Sequence, residues 1–265
     1  MSTSNTALHR FSDRIVPAMK ADPRFSGLLA GGSFGHGDFD QYSDLDLVLI
    51  VEDGDYQQAM ATRREFAESL GDLLRAFTGE HVGEPRLLIC LYSDPLLHVD
   101  LKFVTLDDLD HRIEEPLVLW HRDNRIPDRL AKSAARWPSH EPEWFEERFW
   151  VWVHYTAAKL ARGEILETHL ALAHFRSFVL GPMAARRIGR EQRGVRRLEM
   201  VAPELARQLA ATVGDCSAVG CADALRHTIT IYRDFRSDGL PANRNERAES
   251  AVVDFVERVI ASLGK

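Results

Sequence analysis

The stretch from Leu29 to Ile50, Leu-Ala-Gly-Gly-Ser-Phe-Gly-His-Gly-Asp-Phe-Asp-Gln-Tyr-Ser-Asp-Leu-Asp-Leu-Val-Leu-Ile, leaves this chain few ways to fold. It predicts a strand over Phe25 to Ala30 that runs into Gly31-Gly32-Ser33, then a loop, then a second strand over Asp44 to Val51. In that second strand Leu45 and Leu47 alternate with Asp44 and Asp46, so the leucines face a core and the two carboxylates share the opposite face. Gly31 and Gly32 allow close approach of the backbone to an anion. Ser33 adds a hydroxyl and an N–H near a helix start. Carboxylates paired in this way can bridge two divalent ions roughly 3.5–4 Å apart. A lone Asp-x-Asp would mean only a solvated strand end. Here Gly32-Ser33 is followed by ten residues and then Asp-Leu-Asp at the head of an apolar strand, which is far more specific.

The pattern resembles the polymerase-beta-type nucleotidyltransferase superfamily: Gly followed by Gly or Ser, a spacer of nine to thirteen residues, then Asp-hydrophobic-Asp/Glu. Its members use a third carboxylate on a neighbouring strand. Leu96 to Val104 supplies one in Asp100, placed mid-strand where an unpaired charge would be costly. The resemblance implies that Asp44, Asp46 and Asp100 ligate metal, with two Mg2+ ions expected, and that Asp100 accepts the proton of the attacking hydroxyl. It also implies that Gly31, Gly32, Ser33 and Lys102 contact nucleotide. The structural alternative is a simple pairing of Asp100 with Lys102, its neighbour two residues on.

The chain is similar to the aminoglycoside and lincosamide nucleotidyltransferases in three places: Gly32 to Asp46, the Asp100 strand, and the aromatic helix from Trp144 to Leu160. That similarity implies transfer of AMP from ATP to a hydroxyl of a small acceptor, with release of pyrophosphate. RNA- or protein-directed nucleotidyl transfer stays open at this stage, as does a non-catalytic nucleotide-binding role. Arg148 and His154 also mimic the Arg-x4-6-His spacing of helical toxin ribonucleases.

The rest of the chain is read as α+β. A mixed sheet flanked by helices (1–138) is followed by a helical bundle (139–265) that completes the substrate cleft. In the first part, helices are expected at about 6–21 and 56–77, and strands at 86–92, 96–104 and 117–120. Ser93-Asp94-Pro95 is read as a turn and His121 to Asn124 as a polar turn. Beyond the break at Trp137-Pro138-Ser139-His140-Glu141-Pro142, helices are expected at about 143–162, 164–188, 203–213, 217–236 and 246–263. Pro182 marks either a kink or an end.

Charge narrows the function. The net charge of −7 argues against an extensive nucleic-acid surface. Seven acids and no Lys or Arg lie between Asp38 and Asp55, whereas six arginines lie between Ala184 and Glu199. The first run fits a metal site. The second is either a basic patch or a solvated helix face. Asp38 and Asp40 enrich the acidic field. His36 and Gly37 lie in the nucleotide loop, and His154, His169, His174 and Arg176 fall on the later helices. Three cysteines, Cys90, Cys216 and Cys221, match neither a disulfide framework nor a zinc knuckle. With no long apolar run and no secretory leader, a cytoplasmic protein without membrane partners is expected. Oligomeric state stays open, a homodimer included.

Overall fold

The computed structural model describes residues 5–93 and 95–263. The chain divides into two compact units, residues 1–136 and 137–265.

The first unit is built on a six-stranded sheet of order β3-β4-β5-β2-β1-β6, comprising β1 (Phe25–Ala30), β2 (Leu45–Val51), β3 (Leu73–Gly79), β4 (Glu84–Tyr92), β5 (Leu97–Val104) and β6 (Leu117–His121). Only β2 and β5 run parallel; the other neighbours are antiparallel, so the sheet is mixed as expected. Its helices are α1 (Asn5–Ala21), α2 (Gly32–His36), α3 (Tyr56–Ala61), α4 (Arg63–Ser69) and α5 (Arg125–Lys132).

Strand alternation sorts the two faces of the sheet. Leu45, Leu47, Leu49 and Val51 of β2 join Val99, Leu101 and Phe103 of β5 in one buried cluster. Leu8, Phe11, Ile15 and Met19 of α1 close that cluster, together with Phe66 and Ala67 of α4. These four α1 residues recur at helical spacing, which is why α1 forms and which face it buries. On the opposite face, Leu29, Ile50 and Val104 pack under Leu109 and Ile126. That second cluster covers the far ends of β2 and β5. It stops short of the start of β2, where Asp44 and Asp46 lie, and of Asp100 midway along β5.

Several expectations need correction. The single helix over 56–77 does not form: α3 and α4 end at Ser69, and Leu73 begins a strand. Met60, Ala67, Leu70 and Leu74 do recur at helical intervals. Pairing with β4, Leu73 opposite Tyr92 and Ala76 opposite Cys90, overrides that local pattern. As an edge strand β3 leaves Phe77 exposed, so no period-two burial marked it in the sequence. The polar turn expected after His121 does form, over residues 122–124, but it leads into α5, a helix that was not anticipated. Asp123 accepts the Arg125 N–H at 3.0 Å, and Ile126 and Leu130, one turn apart, pack behind the sheet. The turn proposed at Ser93-Asp94-Pro95 includes Asp94, which lies outside the described residues.

The second unit is helical, comprising α6 (Pro142–Ala161), α7 (Ile165–Phe175), α8 (Gly181–Arg187), α9 (Leu198–Val201), α10 (Pro203–Ala210), α11 (Ala218–Arg236) and α12 (Glu246–Ser262). The helix expected over 164–188 forms as one run from Ile165 to Arg187 with a π-turn inside it at Arg176–Leu180. Gly181-Pro182 follows, and a proline there supplies no N–H to the preceding turn. Phe149 and Tyr232 stack at 3.5 Å between ring centres, and Tyr232 donates to Glu146 at 2.6 Å. Arg236 bonds both Glu146 and Glu249, so the buried charges of this core are paired. No helix among the described residues is long and apolar enough to cross a membrane.

Candidate active site

The parallel pairing of β2 with β5 fixes the site. Asp46 stands in register with Asp100, and Leu45 with Val99. Adjacent strands lie about 4.8 Å apart, so two carboxylates on one face at one register level are close neighbours. Asp44, two residues before Asp46, is near enough to Asp100 to act on its charge. Burial pushes the Asp100 carboxyl above the usual carboxylate range, Asp44 adds to the rise, and His98 offsets part of it. His98 Nε2 lies 2.9 Å from Asp100 Oδ1. The pairing of Asp100 with Lys102 does not form. Lys102 Nζ instead meets Glu84 Oε2 at 2.8 Å, in register with Leu87 across β4. The Glu84 carboxyl is held down to about 2 by Arg86 and Lys102.

The glycine turn bends directly against Asp46. Gly31 N–H donates to the Asp46 carbonyl at 2.9 Å, tying the turn to the strand. Gly32 has φ +57°, and a Cβ there would lie 1.9 Å from Asp46 Oδ2. Only glycine combines that backbone with that proximity. Gly32→Ala is therefore expected to destabilise the first unit by about 1–3 kcal/mol and to push the Asp46 carboxylate out of place. Urea unfolding, with Gly37→Ala (also at positive φ, in open space) as the control, checks this. Equal losses in both variants would leave only the backbone cost. Ser33 is the second residue of α2, and its carbonyl accepts the Asp38 N–H at 3.0 Å.

Sequence reasoning missed two participants. Glu114 accepts the Gly32 N–H at 2.8 Å through Oε1. It lies 82 residues from Gly32, in the connection leading to β6, and no local pattern marks it. His98, by contrast, was legible: it sits two residues before Asp100 on a strand, hence on the same face. Other candidates have structural partners. His36 Nδ1 lies 2.6 Å from the Gly32 carbonyl. Asp40 Oδ1 accepts the Tyr42 N–H at 2.8 Å. In the second unit, His154 stacks on Phe255, His174 stacks on Phe178, and His169 bonds the Asp215 carbonyl. Arg176 donates to the Thr212 carbonyl at 2.7 Å. Arg148 lies over Trp144, so it and His154 are engaged with different neighbours.

No family model and no curated protein matches the chain. Among solved structures, an aminoglycoside 6-adenyltransferase from Bacillus subtilis is similar at 14% identity, covering 95% of this chain and 98% of its own, with a TM-score of 0.40. A nucleotidyltransferase-like protein from Exiguobacterium sibiricum 255-15 is similar at 14% identity, covering 96% of this chain and 88% of its own, with a TM-score of 0.34. Likeness at this level assigns no chemistry. What the site can do follows from its own side chains.

Those side chains fit a hard divalent cation. The donors are oxygen only, and their like charges lie near one another where β2 and β5 run side by side. Among the described residues, no three His, Cys, Asp or Glu side chains already stand as a closed ligand set.

Proposed function

We propose that this chain is a Mg2+-dependent nucleotidyltransferase that moves AMP from ATP to a hydroxyl of a small acceptor, releasing pyrophosphate in the cytoplasm. The observation that carries the reading is the register of Asp46 with Asp100 across parallel strands, beside Asp44 and against the Gly31-Gly32 turn. Asp44, Asp46 and Asp100 would hold two divalent ions, which supply neutralisation of the polyphosphate charge and polarisation of the reacting oxygens. Gly31, Gly32 and Ser33 orient the phosphates: Gly31, its own N–H bonded to the Asp46 carbonyl, keeps the turn open, and Gly32 and Ser33 offer N–H groups and a hydroxyl to them. Asp100 takes the acceptor's proton at a carboxylate oxygen. Its raised proton affinity suits it to that task better than an ordinary surface aspartate. Lys102, two residues on, is placed to exchange its Glu84 partner for a phosphate oxygen.

The acceptor class follows from the motif resemblance alone, and aminoglycosides and lincosamides head the acceptors to be tried. The test is a panel of hydroxyl-bearing small molecules incubated with the purified chain, Mg2+, and ATP or GTP labelled at the α-phosphate. Label transferred to an acceptor together with pyrophosphate release is the expected result. Hydrolysis or transfer that ignores Mg2+ would defeat the reading.

A further inference from the structure

The Gly32 N–H, read above as a phosphate donor, is already satisfied in the ligand-free chain by a carboxylate. Glu114 Oε1 accepts it at 2.8 Å, and a Cβ on Gly31 would meet the same oxygen at 2.6 Å. On the other side, the space beside Gly32 is taken by Asp46 Oδ2. Carboxylate oxygens therefore flank the turn on both sides. A phosphate oxygen cannot add to such an arrangement, because like charges at contact repel strongly in a half-buried site.

The backbone around Glu114 is pinned. The Arg112 guanidinium donates to the carbonyls of Leu109, Leu130 and Ser133 and pairs with Glu115 at 2.9 Å. Glu115 in turn accepts the Ala135 N–H at 2.8 Å. With Arg112 and Glu115 anchored on either side, rotation of the Glu114 side chain alone is enough to release the turn.

We infer that Glu114 is a built-in competitor of the nucleotide: its carboxylate occupies the Gly32 N–H and must swing away before a polyphosphate seats on the turn. The inference rests on the reading of Gly31-Gly32 as the phosphate-binding turn. Removing a carboxylate that bonds the site should tighten nucleotide binding, whereas removing a carboxylate that merely shapes the site should weaken it.

The experiment is calorimetric titration of the full chain with ATP and Mg2+ in the absence of acceptor, for the parent, Glu114→Ala and Glu114→Gln. Inorganic pyrophosphate serves as a second probe. Glu114→Ala is expected to bind about tenfold tighter, since the phosphate no longer displaces a charge-assisted hydrogen bond. Glu114→Gln keeps the length and the acceptor oxygen but not the charge, and should fall between the two. If the alanine variant does not fold, the glutamine variant decides alone. Unchanged or weaker binding in the folded variants overturns the competitor role while leaving nucleotide binding by the parent intact. No ATP binding by the parent or either variant overturns the nucleotide reading itself, and this inference with it.

Discussion

Replacing Asp46 with asparagine is expected to lower nucleotidyl transfer about a thousandfold or more while leaving the fold unchanged. Asparagine keeps the volume that packs against Gly32, where the present oxygen already lies within 1.9 Å of a would-be Cβ. It also keeps the main-chain bond from Gly31 N–H to the residue 46 carbonyl, which no side chain influences. What it removes is one negative charge from the face where β2 and β5 run side by side. If the aspartates hold cations that neutralise a polyphosphate, loss of one ligand charge takes away several kcal/mol of transition-state stabilisation. Circular dichroism and urea unfolding should be indistinguishable from the parent, with transfer of α-labelled AMP close to background. An asparagine variant that retains the parent's rate would refute metal-dependent transfer at this site.

The parts of this site that could be read in the sequence were those whose geometry is local. Asp44, Leu45, Asp46 and Leu47 alternate within one strand, and alternation alone puts the two acids on one face and the leucines in the core. Helix α1 was readable for the same reason, since its apolar residues obey a single period. The long-range partners were not. Glu114 reaches Gly32 only because β6 pairs antiparallel with β1, Leu117 opposite Ala30, which carries the preceding loop over the turn. Glu84 reaches Lys102 only because β4 and β5 pair as they do. The edge strand β3 was hidden by a true conflict between a helical recurrence of apolar residues and a pairing partner elsewhere in the chain. In this chain, what a residue does within its own element was legible; of the distant pairings, the neighbouring of β2 and β5 was implied by the resemblance and the others were not.

Asp100→Asn should separate the chemistry of the site from its cost to the fold. Burial raises the proton affinity of the Asp100 carboxyl in the folded chain, with Asp44 adding to it. A carboxylate whose folded pKa lies above its unfolded value opposes folding when ionised. That penalty is absent at pH below the unfolded pKa and grows as pH rises toward and through the folded one, so at neutral pH the metal-free protein carries it in full. Asparagine is neutral at every pH, still accepts from His98, and fits the same strand position. The metal-free variant is therefore expected to melt higher than the parent at pH 7, by about 2–4 °C for each kcal/mol relieved. The difference should shrink as the pH falls toward 4. Added Mg2+ should reverse the order, because a cation held by the aspartates stabilises the folded parent by mass action and finds one ligand fewer in the variant. Transfer activity should fall with the chemical step, as the proposed metal ligand and proton acceptor is lost. Thermal melts of both proteins with and without Mg2+ across this pH range, beside single-turnover rates, decide the matter. A variant that melts lower than the parent without metal would show that Asp100 is a structural partner of His98 and not a residue kept, at the expense of stability, for catalysis.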